Sequence, residues 1–293
     1  MLDELAEYPL VDCNSLYKNH LLGEAVVLEV TLKSVNFATK LNSQSGSTSG
    51  HKYFDIEKFS RQDLPFPLPH MMVNQICFEN LMMANNISHD QIVILYEPQG
   101  TYASPRAWWM LKSMGHKKVF ILTDNLSECV ERGDFVIRSS GRENSRYTAQ
   151  YNSRFFCNMD FIKEALSSPW KYQIVDARSK RRFEGEEKEP REGLLGGHIP
   201  YAINLPFTTL LSNGQYVSLE RIKQYFKELK LDSGKHIIFT CGSGVTACIL
   251  ALAAYMIGYK NLSVYDGSWS EWGLKELNNP IETGPSKLTI NTM

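Results

Sequence analysis

Short runs of aliphatic and β-branched residues alternate along this 293-residue chain with segments whose apolar positions recur at helical spacing. His236-Ile237-Ile238-Phe239-Thr240 has the length and composition of a buried strand. The apolar stretch that follows, Cys248 to Ile257, is too long for a strand and reads as a buried helix. Two further helices announce their own starts: Met159 to Ser167 behind Asn158, and Leu219 to Leu229 behind Ser218, each preceded by a side chain able to cap the first turn. Such alternation predicts an α/β fold, with a mostly parallel sheet flanked by helices. The longest apolar run, Val245 to Ile257, falls short of the ~20 residues a membrane span needs, so no membrane partner is expected.

The pattern occurs twice. With the chain laid on itself at a displacement of about half its length, Gly50-His51 falls on Gly197-His198 and Val26 to Glu29 on Gln173 to Asp176. Further on, Gln91 to Tyr96 falls on Lys235 to Thr240, and Met114 to Lys117 on Ile257 to Lys260. This predicts one fold used in tandem: residues 1–137 as the first copy, 138–154 as a polar linker, 155–283 as the second copy and 284–293 as a tail without chemistry. Ser43 to Gly50 reads as a flexible loop.

Cys241 opens the run Cys241-Gly242-Ser243-Gly244-Val245-Thr246-Ala247, between the predicted strand and the predicted helix. Glycines on both sides of Ser243 let the backbone curl so that several N–H groups converge, and the helix adds its positive end; such a site suits an anionic sulfur. A buried structural cysteine is the plain alternative, and helix capping is the plain reading of Ser243 and Thr246. The first copy has Glu97 and Pro98 where the second has Cys241 and Gly242, so it cannot run the same thiol chemistry. Its expected role is one wall of a cleft.

Composition narrows the classes. The hydrophobic fraction of 43% is that of a globular protein, and a formal net charge of −1 makes nucleic acid a poor partner. Six cysteines are scattered, with no CxxC spacing and no histidine placed to complete a zinc site. A reduced compartment is the simplest setting. The acidic Met1 to Glu7 lacks the basic start and apolar core of a secretion signal, so a cytoplasmic location is expected.

The chain resembles the tandem-domain rhodanese family of sulfurtransferases, and its cysteine loop is similar to that of the 3-mercaptopyruvate branch. The resemblance covers nearly the whole chain. Besides the loop it is carried by Asp176-Ala177-Arg178, Arg182 to Gly185, Glu189-Pro190-Arg191, Gly197 to Pro200, Asp266 to Trp269 with Glu271-Trp272, and Ser104 to Trp109. It implies a catalytic second domain and an inactive first one. It also implies a sulfane sulfur carried as a persulfide on Cys241, an acceptor that is cyanide or a thiol such as thioredoxin or a low-molecular-weight thiol, release of pyruvate, and no metal or organic cofactor.

By the same resemblance Arg182 and Arg191 bind the carboxylate and keto oxygens of the donor, a task that suits a guanidinium fork. The loop residues Gly242, Gly244, Val245 and Thr246 join them in holding it. From composition alone, both arginines read as exposed charges in a charged loop. The loop carries no Lys or Arg, whereas the thiosulfate branch places cations there; this favours 3-mercaptopyruvate over the compact thiosulfate dianion. The resemblance further implies a Ser-His-Asp relay across the domains. Ser243 and His70 match two members, and the third is open between Glu57, which stands where the family commonly has Asp, Asp55, or no residue at all. His198, shared with the inactive copy as His51, reads as structural, and Trp269 and Trp272 read as core.

Three other functions compete with this reading. A thiosulfate sulfurtransferase would use the same cysteine but with cations in its loop, and the retained Cys241 loop with both arginines argues against a sulfur carrier without turnover. A cysteine phosphatase would want an arginine at the loop's end, where this chain has Val245-Thr246-Ala247-Cys248.

Overall fold

A computed structural model of the chain describes residues 8–18, 25–33, 52–64, 68–126, 129 and 145–287. The predicted loop Ser43 to Gly50, His51 and the first part of the linker lie outside them. The chain separates into two compact units. One comprises Met1–Ser60, Met72–Asn152 and Asn213–Gln215, and the other Arg61–Met71, Ser153–Ser212 and Tyr216–Met293.

In the first unit, β1 (Leu10–Val11), α1 (Cys13–Lys18), β2 (Ala25–Thr31), β3 (Lys52–Asp55), α2 (Gln75–Ala84), β4 (Ile92–Tyr96), α3 (Ser104–Ser113) and β5 (Val119–Leu122) follow in order. The strands form one sheet, β1-β5-β4-β2-β3, in which every pair is parallel. All five residues of β4 are buried, as expected of a strand covered on both faces.

In the second unit, β6 (Phe156–Cys157), α4 (Met159–Ser167), β7 (Tyr172–Asp176), α5 (Lys180–Glu184), β8 (Ile203–Asn204), α6 (Leu219–Glu228), β9 (His236–Thr240), α7 (Ala247–Met256), β10 (Leu262–Tyr265) and α8 (Ser268–Trp272) carry the main sheet and its helices. The sheet order is β6-β10-β9-β7-β8, again all parallel. Strand for strand this is the order of the first unit, so the duplication read from the sequence is a duplication of topology. The caps sit where the residue types put them: Asn158 Oδ1 accepts the Phe161 N–H, and Ser218 Oγ accepts that of Arg221.

The strand order switches side between β7 and β9, β8 being added beyond β7 and β10 beyond β9. The carboxyl ends of these two strands therefore open a crevice of the kind that binds ligands in α/β sheets. Asp176 ends β7 and pairs in register with Thr240, the residue before Cys241. The helix that follows, α7, buries all of Ala247 to Ala254 and so anchors the loop to the core.

One feature differs from expectation. Cys13 and Cys129 form a disulfide in the first unit, Cα atoms 6.1 Å apart. They are 116 residues apart in sequence, and only the fold brings them together. The Asp124 carboxylate accepts the Cys13 N–H at 2.9 Å. Among the described residues no helix is long and apolar enough to cross a membrane.

Candidate active site

Strand β9 delivers Cys241 at its carboxyl end with 2% exposure. The chain then turns through Gly242, Ser243 and Gly244 before α7 begins. Gly244 has φ +77°, a conformation that strains any residue with a Cβ. Gly242 is required for space instead: a Cβ built on it would lie 3.1 Å from Arg182 Nη2 and 3.9 Å from Arg191 Nη1. Both arginines singled out in the sequence thus converge on the residue next to Cys241.

The loop is braced from the start of α8. The Cys241 N–H donates to Ser268 Oγ (3.3 Å), the Trp269 N–H to Cys241 O (2.9 Å), and both the N–H and the hydroxyl of Ser270 to Gly242 O (2.9 and 2.6 Å). Among the described residues, the amides of Gly242, Ser243, Val245, Thr246 and Ala247 meet no acceptor. Five unanswered N–H groups beside a buried sulfur form a donor cluster for an anion, reinforced by the amino end of α7. Capping, the plain reading of the two hydroxyls, does not hold. Thr246 occupies the cap position without a side-chain cap bond, and Ser243 is engaged elsewhere. Cys248 is fully buried, its Sγ donating to Gly244 O at 3.2 Å.

Ser243 Oγ shares a hydrogen bond of 2.9 Å with His70 Nδ1. His70 belongs to the first half by sequence, yet the excursion Arg61–Met71 that carries it is part of the second unit. It is 5% exposed and holds φ +64°, a left-handed conformation costing a non-glycine residue about 1–3 kcal/mol and typical of sites where geometry is over-determined. Glu57 lies in the turn after β3, within the first unit. Asp55, the other candidate, spends Oδ1 on the Glu57 amide. Of the candidate relay residues, the structure brings His70 and Ser243 together.

Residues 161–275 match the rhodanese-like domain family. A 3-mercaptopyruvate sulfurtransferase of Mus musculus is 38% identical over 232 residues, 77% of this chain and 76% of that protein. A thiosulfate sulfurtransferase of Gallus gallus is 37% identical over 227 residues, covering 76% of this chain and 77% of its own length. The crystal structure of SseA from Escherichia coli, a 3-mercaptopyruvate sulfotransferase, superposes with a TM-score of 0.71 at 30% identity, over 90% of this chain and 100% of that one. This chain belongs to the rhodanese-like sulfurtransferases.

Within this sulfurtransferase the first unit shows what its loop does without a thiol. Glu97 follows the central strand β4 as Cys241 follows β9. Its carboxylate accepts the N–H groups of Tyr102 (2.8 Å), Ala103 (2.9 and 3.0 Å) and Ser104 (2.7 Å) at the start of α3. Burial pushes the Glu97 carboxyl above the ordinary carboxylate range, and these amides oppose the shift. The degenerate copy has filled its own anion cradle with a side chain.

Residues read as structural are so placed. His198 is fully buried, Nδ1 bonded to Phe183 O (2.8 Å) and its ring stacked on Phe183 at 3.7 Å. Trp269 and Trp272 are fully buried, and their Nε1–H groups reach Leu195 O and Pro280 O. Sequence reasoning gave no role to Ser268, Ser270 or Glu189. The one local signal for the serines is a pair of hydroxyl residues two apart, just past a strand end.

Proposed function

We propose that this sulfurtransferase takes sulfur from 3-mercaptopyruvate, carries it as a persulfide on Cys241, and passes it to a thiol acceptor such as thioredoxin or a small thiol, or to cyanide. The Cys241 thiolate attacks the donor sulfur, the C–S electron pair departs into the enolate of pyruvate, and a proton supplied by Ser243 and replenished from His70 completes pyruvate. An acceptor thiolate then attacks the outer sulfur and returns Cys241 to the thiolate. Each charged stage rests beside the free amides of the Gly242 to Ala247 loop.

The observation that carries this reading is the approach of Arg182 and Arg191 to Gly242. Two guanidinium groups beside the residue that follows Cys241 match a donor with a carboxylate and a keto oxygen. Thiosulfate is the second reading, because a relative bearing that name is nearly as similar. The cytoplasm is the proposed location, with the Cys13–Cys129 bridge, 1% and 0% exposed, sealed from the reductants of that compartment.

Steady-state kinetics of Arg182→Ala and Arg191→Ala with both donors test the assignment. Each loses roughly ten- to a hundredfold in kcat/KM for 3-mercaptopyruvate, the worth of a charge-assisted hydrogen bond, and less for thiosulfate. A wild-type preference for thiosulfate, or equal losses on both donors, contradicts it.

A further inference from the structure

Arg182 is a long side chain with a partly exposed head, 22% accessible, and something must hold it beside Gly242. Glu189 does so. Its Oε2 accepts from Arg182 Nη2 at 2.5 Å and its Oε1 from Arg182 Nε at 3.2 Å, a fork-on-fork contact that takes one edge of the guanidinium and leaves Nη1 on the other edge for a ligand. Glu189 is itself 1% exposed and fixed from behind, its Oε1 also accepting from Arg178 Nη1 at 2.8 Å. Arg178 in turn is bound through Nε and Nη2 to Asp176 and lies 4.2 Å over the Trp269 ring.

These contacts close a ring around the site. Asp176 pairs in register with Thr240, before Cys241; from Asp176 the contacts pass through Arg178, Glu189 and Arg182 to Gly242, after Cys241. Trp269, under Arg178, donates its backbone N–H to Cys241 O. Orientation is fixed from both ends, so little rotamer freedom is left to lose when a donor arrives. Asp176, Arg178, Glu189 and Arg182 carry two charges of each sign, and Glu189 is the acid in direct contact with the donor-facing arginine.

We propose that Glu189 is a positioning residue that also sets donor specificity: it aims Arg182 at the donor site and offsets its charge, so that a keto acid with one carboxylate is preferred over a compact dianion. This rests on the donor assignment proposed above. Glu189 touches no reacting atom; it acts through Arg182.

The test is kcat and KM for 3-mercaptopyruvate and thiosulfate in the wild type, Glu189→Gln and Glu189→Asp. Glu189→Gln removes the negative charge in contact with Arg182, and the ratio of kcat/KM for 3-mercaptopyruvate to that for thiosulfate falls roughly tenfold from the wild-type value. Glu189→Asp keeps the charge but withdraws the fork by one methylene. It raises KM for 3-mercaptopyruvate several-fold with kcat retained, and changes thiosulfate kinetics less. An unchanged ratio in Glu189→Gln, an equal loss for both donors in either variant, or an unchanged KM in Glu189→Asp overturns the proposal. If Glu189→Gln does not fold, Glu189→Asp alone decides. A wild type that prefers thiosulfate sinks the donor assignment, whereas the change relative to wild type judges Glu189.

Discussion

His70 Nδ1 and Ser243 Oγ lie 2.9 Å apart although 173 residues separate them in sequence. The contact is made inside one unit, because the excursion that carries His70 packs with the unit that holds Cys241. Enolate and sulfite departures differ in one respect that this pair can detect: an enolate must be protonated on carbon, whereas sulfite leaves thiosulfate as it is.

Ser243→Ala and His70→Gln are therefore expected to lower kcat with 3-mercaptopyruvate by about 10²–10⁴, the usual worth of a positioned proton donor, and to lower thiosulfate turnover much less. Steady-state assays with the two donors make the comparison. Equal losses mean that the pair shapes the loop and delivers no proton.

Glu97 answers three backbone amides in the first unit. Glu97→Ala leaves buried donors unpaired at about 1–3 kcal/mol each, so the denaturant midpoint falls, and added sulfate restores part of the loss by binding the vacated cradle. Unchanged stability, or a loss that sulfate does not relieve, shows that the amides do not need an anion.

His116 is fully buried, Nε2 3.0 Å from Gln91 O and Nδ1 3.2 Å from Tyr147 Oη. Burial pushes its pKa down to about 3 from an ordinary 6.5. A depressed histidine contributes stability that is present above pH 6.5 and lost as pH falls toward the folded value. From pH 6.5 downward, this one group costs about 1.4 kcal/mol per pH unit. In melting curves between pH 7 and 5, His116→Gln loses stability at pH 7 and shows a shallower acid decline than the wild type; an equal slope in both assigns the decline to other groups.

What could be read from the chain was local or repeated. The strand at His236–Thr240 and the helix at Met159–Ser167 are set by short apolar patterns and by the Asn158 cap, and the structure has both. Arg182 and Arg191 were legible only through resemblance, since a charged loop looks the same whether or not it folds onto a glycine. Residues joined across the chain left no such mark. The Cys13–Cys129 bridge spans 116 residues, and Ser268 and Ser270 reach Cys241 and Gly242 from a helix start some 27 residues on. The substitution of Glu97 for the cysteine was visible, but its role as the occupant of its own cradle appears only when the amides of Tyr102 to Ser104 are seen to close on it.

The proposed sulfur transfer depends on Cys241 as the sulfur carrier. Intact-mass and peptide mapping of the wild type after brief exposure to 3-mercaptopyruvate, before and after thiol reduction, measure that directly. The account predicts a gain of one sulfur atom, located on Cys241, removed by reduction and absent from a folded Cys241→Ser variant. A sulfur mapped to Cys77, Cys157 or Cys248, or turnover retained in Cys241→Ser, contradicts it.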